Sequence, residues 1–177
     1  MAWVIESPRS HRCNLALALW SGFEKIHTKA FILDYPIAEL FPLFTPEEEK
    51  KWAAGWDFDL IYSTSDEVEE NLIFTTAAHD HGQSGAIWII SRYEPTEYFI
   101  EYQRIEPGVK IGRIRIKCQA GDQEKTLVTI EYIYTALSEH GNEFIDRFTA
   151  NEYVTFIGHW EKAINYYLET GKTLSHH

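Results

Sequence analysis

The chain has 177 residues, 15% of them aromatic, and this length predicts one domain that buries roughly 70% of its unfolded surface. Its net charge of −11 excludes nucleic acid as a partner, and no apolar run reaches the roughly 18 residues that would permit membrane insertion. Two cysteines, Cys13 and Cys118, are too few for a disulfide framework and predict a cytoplasmic protein.

Residues 1–22 are predicted to form an N-terminal extension. They combine two arginines with a short Leu/Ala run, which resembles a secretory signal, but the run is brief and Glu6 argues against a leader. We therefore expect an extension over 1–22, a domain over 23–172 and a C-terminal tail over 173–177.

A strand over 23–33 is followed by a short helix over 36–44 and then by a second short helix. Thr45 and Glu48 have the spacing of a capping box, and Gly55 is suited to end this second helix. Its large apolar side chains, Trp52 and Trp56, must be buried against something larger, because so short a helix is not stable alone.

Apolar, β-branched and aromatic runs fill the next part of the chain. The segments between them are rich in turn residues, as in "EPTE" and "EPG", which predicts hairpin loops and an antiparallel sheet. The predicted strands cover 60–63, 71–78, 86–93, 98–105, 109–118 and 126–136.

Alternation assigns the faces of the last three strands. The even-numbered residues are mainly apolar and are predicted to point inward. The outer face then places Glu101 opposite Arg113 or Arg115, with Glu131 beside the same arginines. We interpret this face as a solvated ladder of opposite charges rather than as a basic ligand site.

The strand over 86–93 is apolar on both faces, so the position of Trp88 stays open. The core, a site under the extension and a homodimer contact are the three alternatives.

A long helix is predicted from Asn142 to Thr170, with Gly171 as its stop. At 100° per residue its apolar side chains fall in one broad arc that must be buried. The members of that arc are Ile145, Tyr153, Phe156, Ile157, Trp160, Ala163, Ile164, Tyr167 and Leu168.

These elements predict an α+β fold in which a curved seven-stranded antiparallel sheet wraps around a long C-terminal helix, with two short helices after the first strand. The chain resembles the START-like superfamily, also called SRPBCC or Bet v 1-like, whose fold is a helix-grip. The resemblance rests on "LFTPEEEKKWAAGW", "FTT", "IWIISRY", "YTALSEHG" and "HWEKAINYYLETG". It implies an apolar cavity for a lipid, polyketide, hormone or other small hydrophobic molecule, closed at one end by the short helices, which the two tryptophans would anchor.

Inward aromatic side chains with a few polar atoms are what such a cavity needs. Arg104 has inward parity and could hold a ligand carboxylate or polarise a carbonyl, although we favour a side chain that snorkels to solvent. The predicted ligand-binding residues are Tyr98, Tyr102, Arg104, Ile114, Ile116, Tyr132, Tyr134, Tyr153, Phe156 and Trp160.

We predict no catalytic residue, metal or cofactor. His79 and His81 flank Asp80, but a third histidine at motif spacing is missing from the sequence. Glu152 and His159 could pair as acid and base, yet a surface contact is the better interpretation. The favoured function is binding of a small hydrophobic molecule, and the alternatives are a polyketide cyclase-like or aromatase-like enzyme and an interaction module similar to the Hsp90 ATPase activator domains.

Overall fold

A computed structural model describes residues 23–77 and 85–175, so the predicted extension over 1–22 and the His79–His81 segment lie outside the described residues. The predicted seven-stranded antiparallel sheet is confirmed, and its strand order is β1-β7-β6-β5-β4-β3-β2. The strands are β1 Glu24–Leu33, β2 Asp59–Tyr62, β3 Ile73–Thr76, β4 Ala86–Glu94, β5 Phe99–Glu106, β6 Lys110–Ala120 and β7 Thr126–Ala136.

The helices are short except for the last. α1 (Ile37–Leu40) continues into a 3-10 turn over Phe41–Phe44, and α2 (Pro46–Glu49) follows at once. α3 (Glu139–Arg147) and α4 (Ala150–Thr170) end the domain. The α+β helix-grip architecture is therefore confirmed, and no helix in the described part of the chain is long and apolar enough to cross a bilayer.

The strand register confirms the predicted outer face. Glu101 of β5 and Glu131 of β7 both face Arg115 of β6. The Arg115 guanidinium donates to each carboxylate at 2.8 Å. We call these three residues the outer cluster.

Even-numbered residues of β6 and β7 point into the core, because one sheet face must be covered by the helix. Ile114, Ile116 and Ile130 are fully buried there. α4 crosses this concave face, and Tyr153 in its first turns donates its hydroxyl to the Ile130 carbonyl at 2.6 Å.

The single long helix predicted after residue 142 is wrong, because the chain forms two helices. Ser138 caps α3 by accepting a hydrogen bond from Gly141 N at 3.1 Å. Thr149 starts α4 with a capping box, in which Thr149 Oγ1 and the Glu152 carboxylate each satisfy a backbone N–H of the other residue. This cap requires an extended Thr149 backbone, which interrupts the helix. The predicted stop at Gly171 is confirmed by its φ of 68°.

The start of α3 packs against the β5–β6 turn and fixes its position. The Leu137 amide donates to the Val109 carbonyl at 2.8 Å. Gly141 approaches the same carbonyl so closely that a Cβ at this position would clash with it. The turn, and the residues on both sides of it, are therefore held against the start of α3.

The capping box predicted at Thr45 is also wrong. Thr45 Oγ1 donates instead to the Pro42 carbonyl at 2.8 Å, and the Glu48 carboxylate binds Lys51. α2 ends at Glu49, and irregular turns lead to Gly55, whose φ is 78°.

Candidate ligand cavity

A cavity of about 360 Å³ lies between the sheet, the short helices and α4. This is within the range of small-molecule sites. Its walls carry mainly aromatic side chains with a few charged groups. The lining residues are Glu49, Trp52, Ala53, Trp56, Thr76, Ala77, Trp88, Tyr102, Arg104, Lys110, Ile114, Ile116, Tyr132, Tyr134, Phe144, Phe148, Phe156 and Trp160.

Both tryptophans of the short-helix region contribute to the wall and are fixed by hydrogen bonds. Trp52 Nε1 donates to the Leu43 carbonyl at 2.7 Å, and Trp56 Nε1 donates to the Pro46 carbonyl at 2.8 Å. These two hydrogen bonds connect the segment after α2 to the 3-10 turn and to the first residue of α2. Trp52 also packs edge-on against Trp160 of α4, with ring centroids 5.4 Å apart.

Eight of the ten predicted ligand-binding residues line this cavity. They are Tyr102, Arg104, Ile114, Ile116, Tyr132, Tyr134, Phe156 and Trp160.

The other two predicted residues, Tyr98 and Tyr153, lie outside the cavity wall. Tyr98 precedes β5 in a left-handed conformation, with φ of 51°, so strand alternation does not apply to it. Its ring packs against Phe41. Tyr153 fills the space between α4 and the sheet, where its hydroxyl is satisfied by backbone.

The phenols of the wall differ in their hydrogen bonding. Tyr102 donates to the Phe44 carbonyl at 2.7 Å. Tyr132 and Tyr134 form no side-chain hydrogen bond with any described residue, although both rings are nearly buried. Burial raises the pKa of Tyr134 to about 12 and that of Tyr132 well above its usual value, so both remain neutral donors. These two hydroxyls are available to a ligand.

The open question about Trp88 is settled in favour of the core. Trp88 lines the cavity, stacks on Phe74 and donates its Nε1–H to Thr76 Oγ1 at 3.1 Å.

Charged side chains meet at the end of the cavity next to the β5–β6 turn. Glu106, 3% exposed, accepts from Arg104, and its Oε1 lies 2.5 Å from Lys110 Nζ. Lys110 is 2% exposed and lies 3.7 Å above the Phe144 ring. We call Arg104, Glu106 and Lys110 the inner cluster.

The inner cluster corrects the snorkelling interpretation of Arg104, whose side chain is mostly buried in the cavity wall. Burial lowers the pKa of Arg104, but a guanidinium stays charged. Burial and the Arg104 charge act to lower the pKa of Lys110. The Glu106 carboxylate opposes this by stabilising the ammonium form, and at 2.5 Å the ion pair keeps the amine charged.

Glu49 is a second buried acid that the sequence analysis missed. It is 7% exposed and lines the cavity, and its carboxylate forms no hydrogen bond or ion pair with a described residue. Burial raises the pKa of Glu49 well above its usual value, which favours the uncharged acid. Tyr102 and Tyr132 are the titratable groups close enough to feel its charge.

The sequence contains a signal for each of two cavity residues that the sequence analysis missed, Glu49 and Lys110. Glu49, Trp52, Ala53 and Trp56 are spaced i, i+3, i+4, i+7, which is one face of a helix. Lys110 shares the even parity of the inward residues of β6. In each case the position indicates an inward side chain although the residue type is charged.

Glu152 and His159 lie on the exposed surface of α4, outside the cavity. The hydrogen bonds from Thr149 lower the pKa of Glu152, which is engaged in the capping box. Within residues 23–77 and 85–175, no group of three or more His, Cys, Asp or Glu side chains could hold a metal ion.

Comparison with known proteins shows the fold and not the function. No family model matches the chain, and no curated protein has significant similarity to it. Among solved structures, norcoclaurine synthase from Thalictrum flavum is similar with a TM-score of 0.62 and 11% identity, covering 93% of this chain and 98% of that one.

Two further solved structures are similar in fold to this chain. Ara h 8.0201 has a TM-score of 0.59 and 10% identity over 84% of this chain and 100% of its own. DynU16, encoded in the dynemicin biosynthetic locus, has a TM-score of 0.54 and 18% identity over 83% of this chain and 48% of its own. The chain therefore has the Bet v 1-like helix-grip fold that the sequence resemblance implied.

Proposed function

We propose that this protein binds a small hydrophobic molecule of lipid, polyketide or aromatic type in the cavity between the sheet and α4. The observation that carries the proposal is the unfilled volume of about 360 Å³ with a mainly aromatic wall and two phenols free to donate. Apolar walls supply affinity, and a few polar atoms supply orientation. A norcoclaurine synthase of the same fold has been solved with dopamine and hydroxybenzaldehyde, which supports the capacity of this fold for small aromatic guests.

A polyketide cyclase-like or aromatase-like enzyme is the second candidate. It is supported by the buried Glu49 carboxyl, which lines the same cavity as Arg104 and Lys110. An acid with a raised pKa and cations in the wall of the same cavity are groups that proton transfer can use. Native mass spectrometry of protein from its own host separates these candidates, because a binder retains one intact molecule whereas an enzyme retains substrate and product.

The interaction-module alternative has less support. A fold that acts only through its surface has no need of a cavity, and its interior would be filled by its own side chains.

The binding proposal is tested by titration with the neutral dye N-phenyl-1-naphthylamine, whose fluorescence rises in apolar surroundings. We expect saturable binding that is weakened at least about tenfold by Ala53→Phe, because Ala53 lines the cavity and a phenyl ring would occupy part of its volume. Ala54→Phe is the matched control, since this neighbour is exposed and outside the wall. Absence of saturable binding, or equal weakening by both substitutions, would contradict the proposal.

A further inference from the structure

The inner cluster has an unequal count of charges. Arg104 and Lys110 contribute two cations, and Glu106 contributes one anion. No other carboxylate among the described residues forms an ion pair with either cation. The cluster thus carries one excess positive charge in a place that water reaches poorly.

An unbalanced charge at such a site is costly, because the interior stabilises ions far less well than water does. Arg104 and Lys110 belong to the cavity wall, whereas Glu106 does not. The carboxylate therefore lies behind the two cations, and their remaining donors are available to the cavity. Arg104 has five N–H donors and Lys110 has three, more than one carboxylate can use.

Glu49 does not balance this charge. It forms no ion pair with Arg104 or Lys110, and burial favours its uncharged form. The remaining titratable groups of the wall near Arg104 are Tyr132 and Tyr134, whose raised pKa values keep them neutral.

We propose that the ligand is a small hydrophobic acid, whose anionic carboxylate is held by Arg104 and Lys110 while its apolar body lies along the aromatic wall. This inference rests on the proposed binding function and specifies its ligand class. The Phe144 ring under Lys110 and the Tyr134 ring beside it restrict the anion to the face of the cluster that opens into the cavity. The free Tyr134 hydroxyl can donate to the same carboxylate.

The test compares 2-naphthoate with 2-naphthamide by titration calorimetry, because the two probes share a ring system and differ in charge. We expect the wild-type protein to bind the acid at least about tenfold more tightly than the amide, as for a charge-assisted hydrogen bond. Arg104→Gln leaves Lys110 and Glu106 as a balanced pair and should bring the two dissociation constants within about threefold of each other. Arg113→Gln, on the outer face of β6, removes the same charge from the protein and should leave the preference unchanged.

Glu106→Gln tests the same inference, with an expected change in the acid preference opposite to that of Arg104→Gln. At pH 6, below the pKa of about 7 to which burial and the Arg104 charge lower Lys110, this variant carries a second excess charge, so its preference for the acid should increase, provided that circular dichroism shows a native fold. A merely structural role of the cluster does not predict opposite shifts from Arg104→Gln and Glu106→Gln. If Glu106→Gln does not fold, the comparison of Arg104→Gln with Arg113→Gln decides alone.

The outcomes separate this inference from the function on which it rests. Equal affinity for 2-naphthoate and 2-naphthamide in the wild-type protein, together with saturable dye binding, overturns the acid preference and leaves the binding function standing. Failure of the dye and both naphthalene probes to bind overturns both.

Discussion

Two charged clusters lie on opposite faces of the sheet, and the numbers of cations and anions in them are reversed. The outer cluster places one cation between two carboxylates, and the inner cluster places one carboxylate between two cations. Arg115 and Glu131 of the outer cluster are 35% and 28% exposed and only Glu101 is buried there, whereas Lys110 and Glu106 of the inner cluster are both almost fully buried. Arginine and glutamate side chains therefore experience different dielectric surroundings on the two faces of one sheet.

The difference teaches how to distinguish a structural ion pair from a ligand site. At the outer cluster, water screens the charges and can balance the excess anion, so no partner is required. At the inner cluster the excess cation faces an enclosed aromatic cavity, where a ligand anion is the available compensation. Burial and the sign of the imbalance, rather than the number of ion pairs, carry the functional information.

The largest effect is expected from Glu106→Gln. Removal of the carboxylate leaves Arg104 and Lys110 buried side by side, and unfolding free energy should fall by about 3–5 kcal/mol. Urea denaturation at pH 7 measures this loss, and Glu131→Gln in the outer cluster is the matched control, with an expected loss of about 1 kcal/mol or less. Similar losses in the two variants would contradict the proposed contrast.

The pH dependence of Glu106→Gln sharpens the same point. Without its carboxylate, Lys110 should have a folded-state pKa below the unfolded value, so the unfolded state binds more protons. Stability of this variant should therefore rise relative to the wild-type protein between pH 7 and pH 10. A constant difference over this range would mean that the Glu106 carboxylate does not control the ionisation of Lys110 in the folded protein.

The next effect concerns Glu49, a buried acid without a cation. Its raised pKa means that the folded state retains a proton that the unfolded state releases, so the associated stability is full below about pH 4.5 and is lost as the pH rises through the folded-state pKa. Glu49→Gln keeps a neutral side chain at every pH. We expect this variant to exceed the wild-type stability by on the order of 1 kcal/mol at pH 7 and to match it at pH 4.

Glu47→Gln is the control for Glu49→Gln, because Glu47 lies two residues earlier on α2 and is exposed. Urea midpoints measured between pH 4 and pH 8 should diverge from wild type only for Glu49→Gln. A parallel pH profile for this variant and the wild-type protein would show that Glu49 ionises without hindrance.

The antiparallel hairpins and the outer cluster were predictable because both depend on local periodicity. Alternation in "VKIGRIRIKC" assigns Arg113 and Arg115 to one face, and antiparallel pairing then brings Glu101 opposite Arg115. The turn residues between the strands restrict the register further. Most of the cavity wall follows from the same parity, since it uses inward residues of β5, β6 and β7.

The helix break and the inner cluster were not predictable in this way. The apolar periodicity of the sequence continues across Thr149 and predicts one uninterrupted helix. The local hydrogen bonds of the Thr149 capping box interrupt that helix, and the periodicity does not show them. The register of the β5–β6 hairpin pairs Lys110 with Glu106, and the packing of α3 against this hairpin places the Phe144 ring against Lys110, which strand parity does not show. Tyr98 lies outside the cavity wall for a different reason. Its backbone is left-handed, so the strand parity that was applied to it does not hold.

The smallest effect is expected from Arg115→Gln in the outer cluster. Burial raises the pKa of Glu101, but hydrogen bonds from Arg115 and Ser91 outweigh it and bring the pKa below its usual value. The corresponding stability is present above about pH 4.5 and is lost as the pH falls through the folded-state pKa. Arg115→Gln should therefore lower the unfolding free energy by up to about 1 kcal/mol at pH 7.

Two measurements connect this small loss to the solvent-screened ion pairs. The difference between Arg115→Gln and wild type should shrink in 1 M salt, where the screening length is about 3 Å, and also as the pH falls and Glu101 takes up its proton. The loss caused by Glu106→Gln should change much less with salt, because buried charges are screened less by dissolved ions than exposed charges are. If salt reduced both losses equally, the inner cluster would be accessible to solvent ions, and its excess charge would no longer require an anionic ligand.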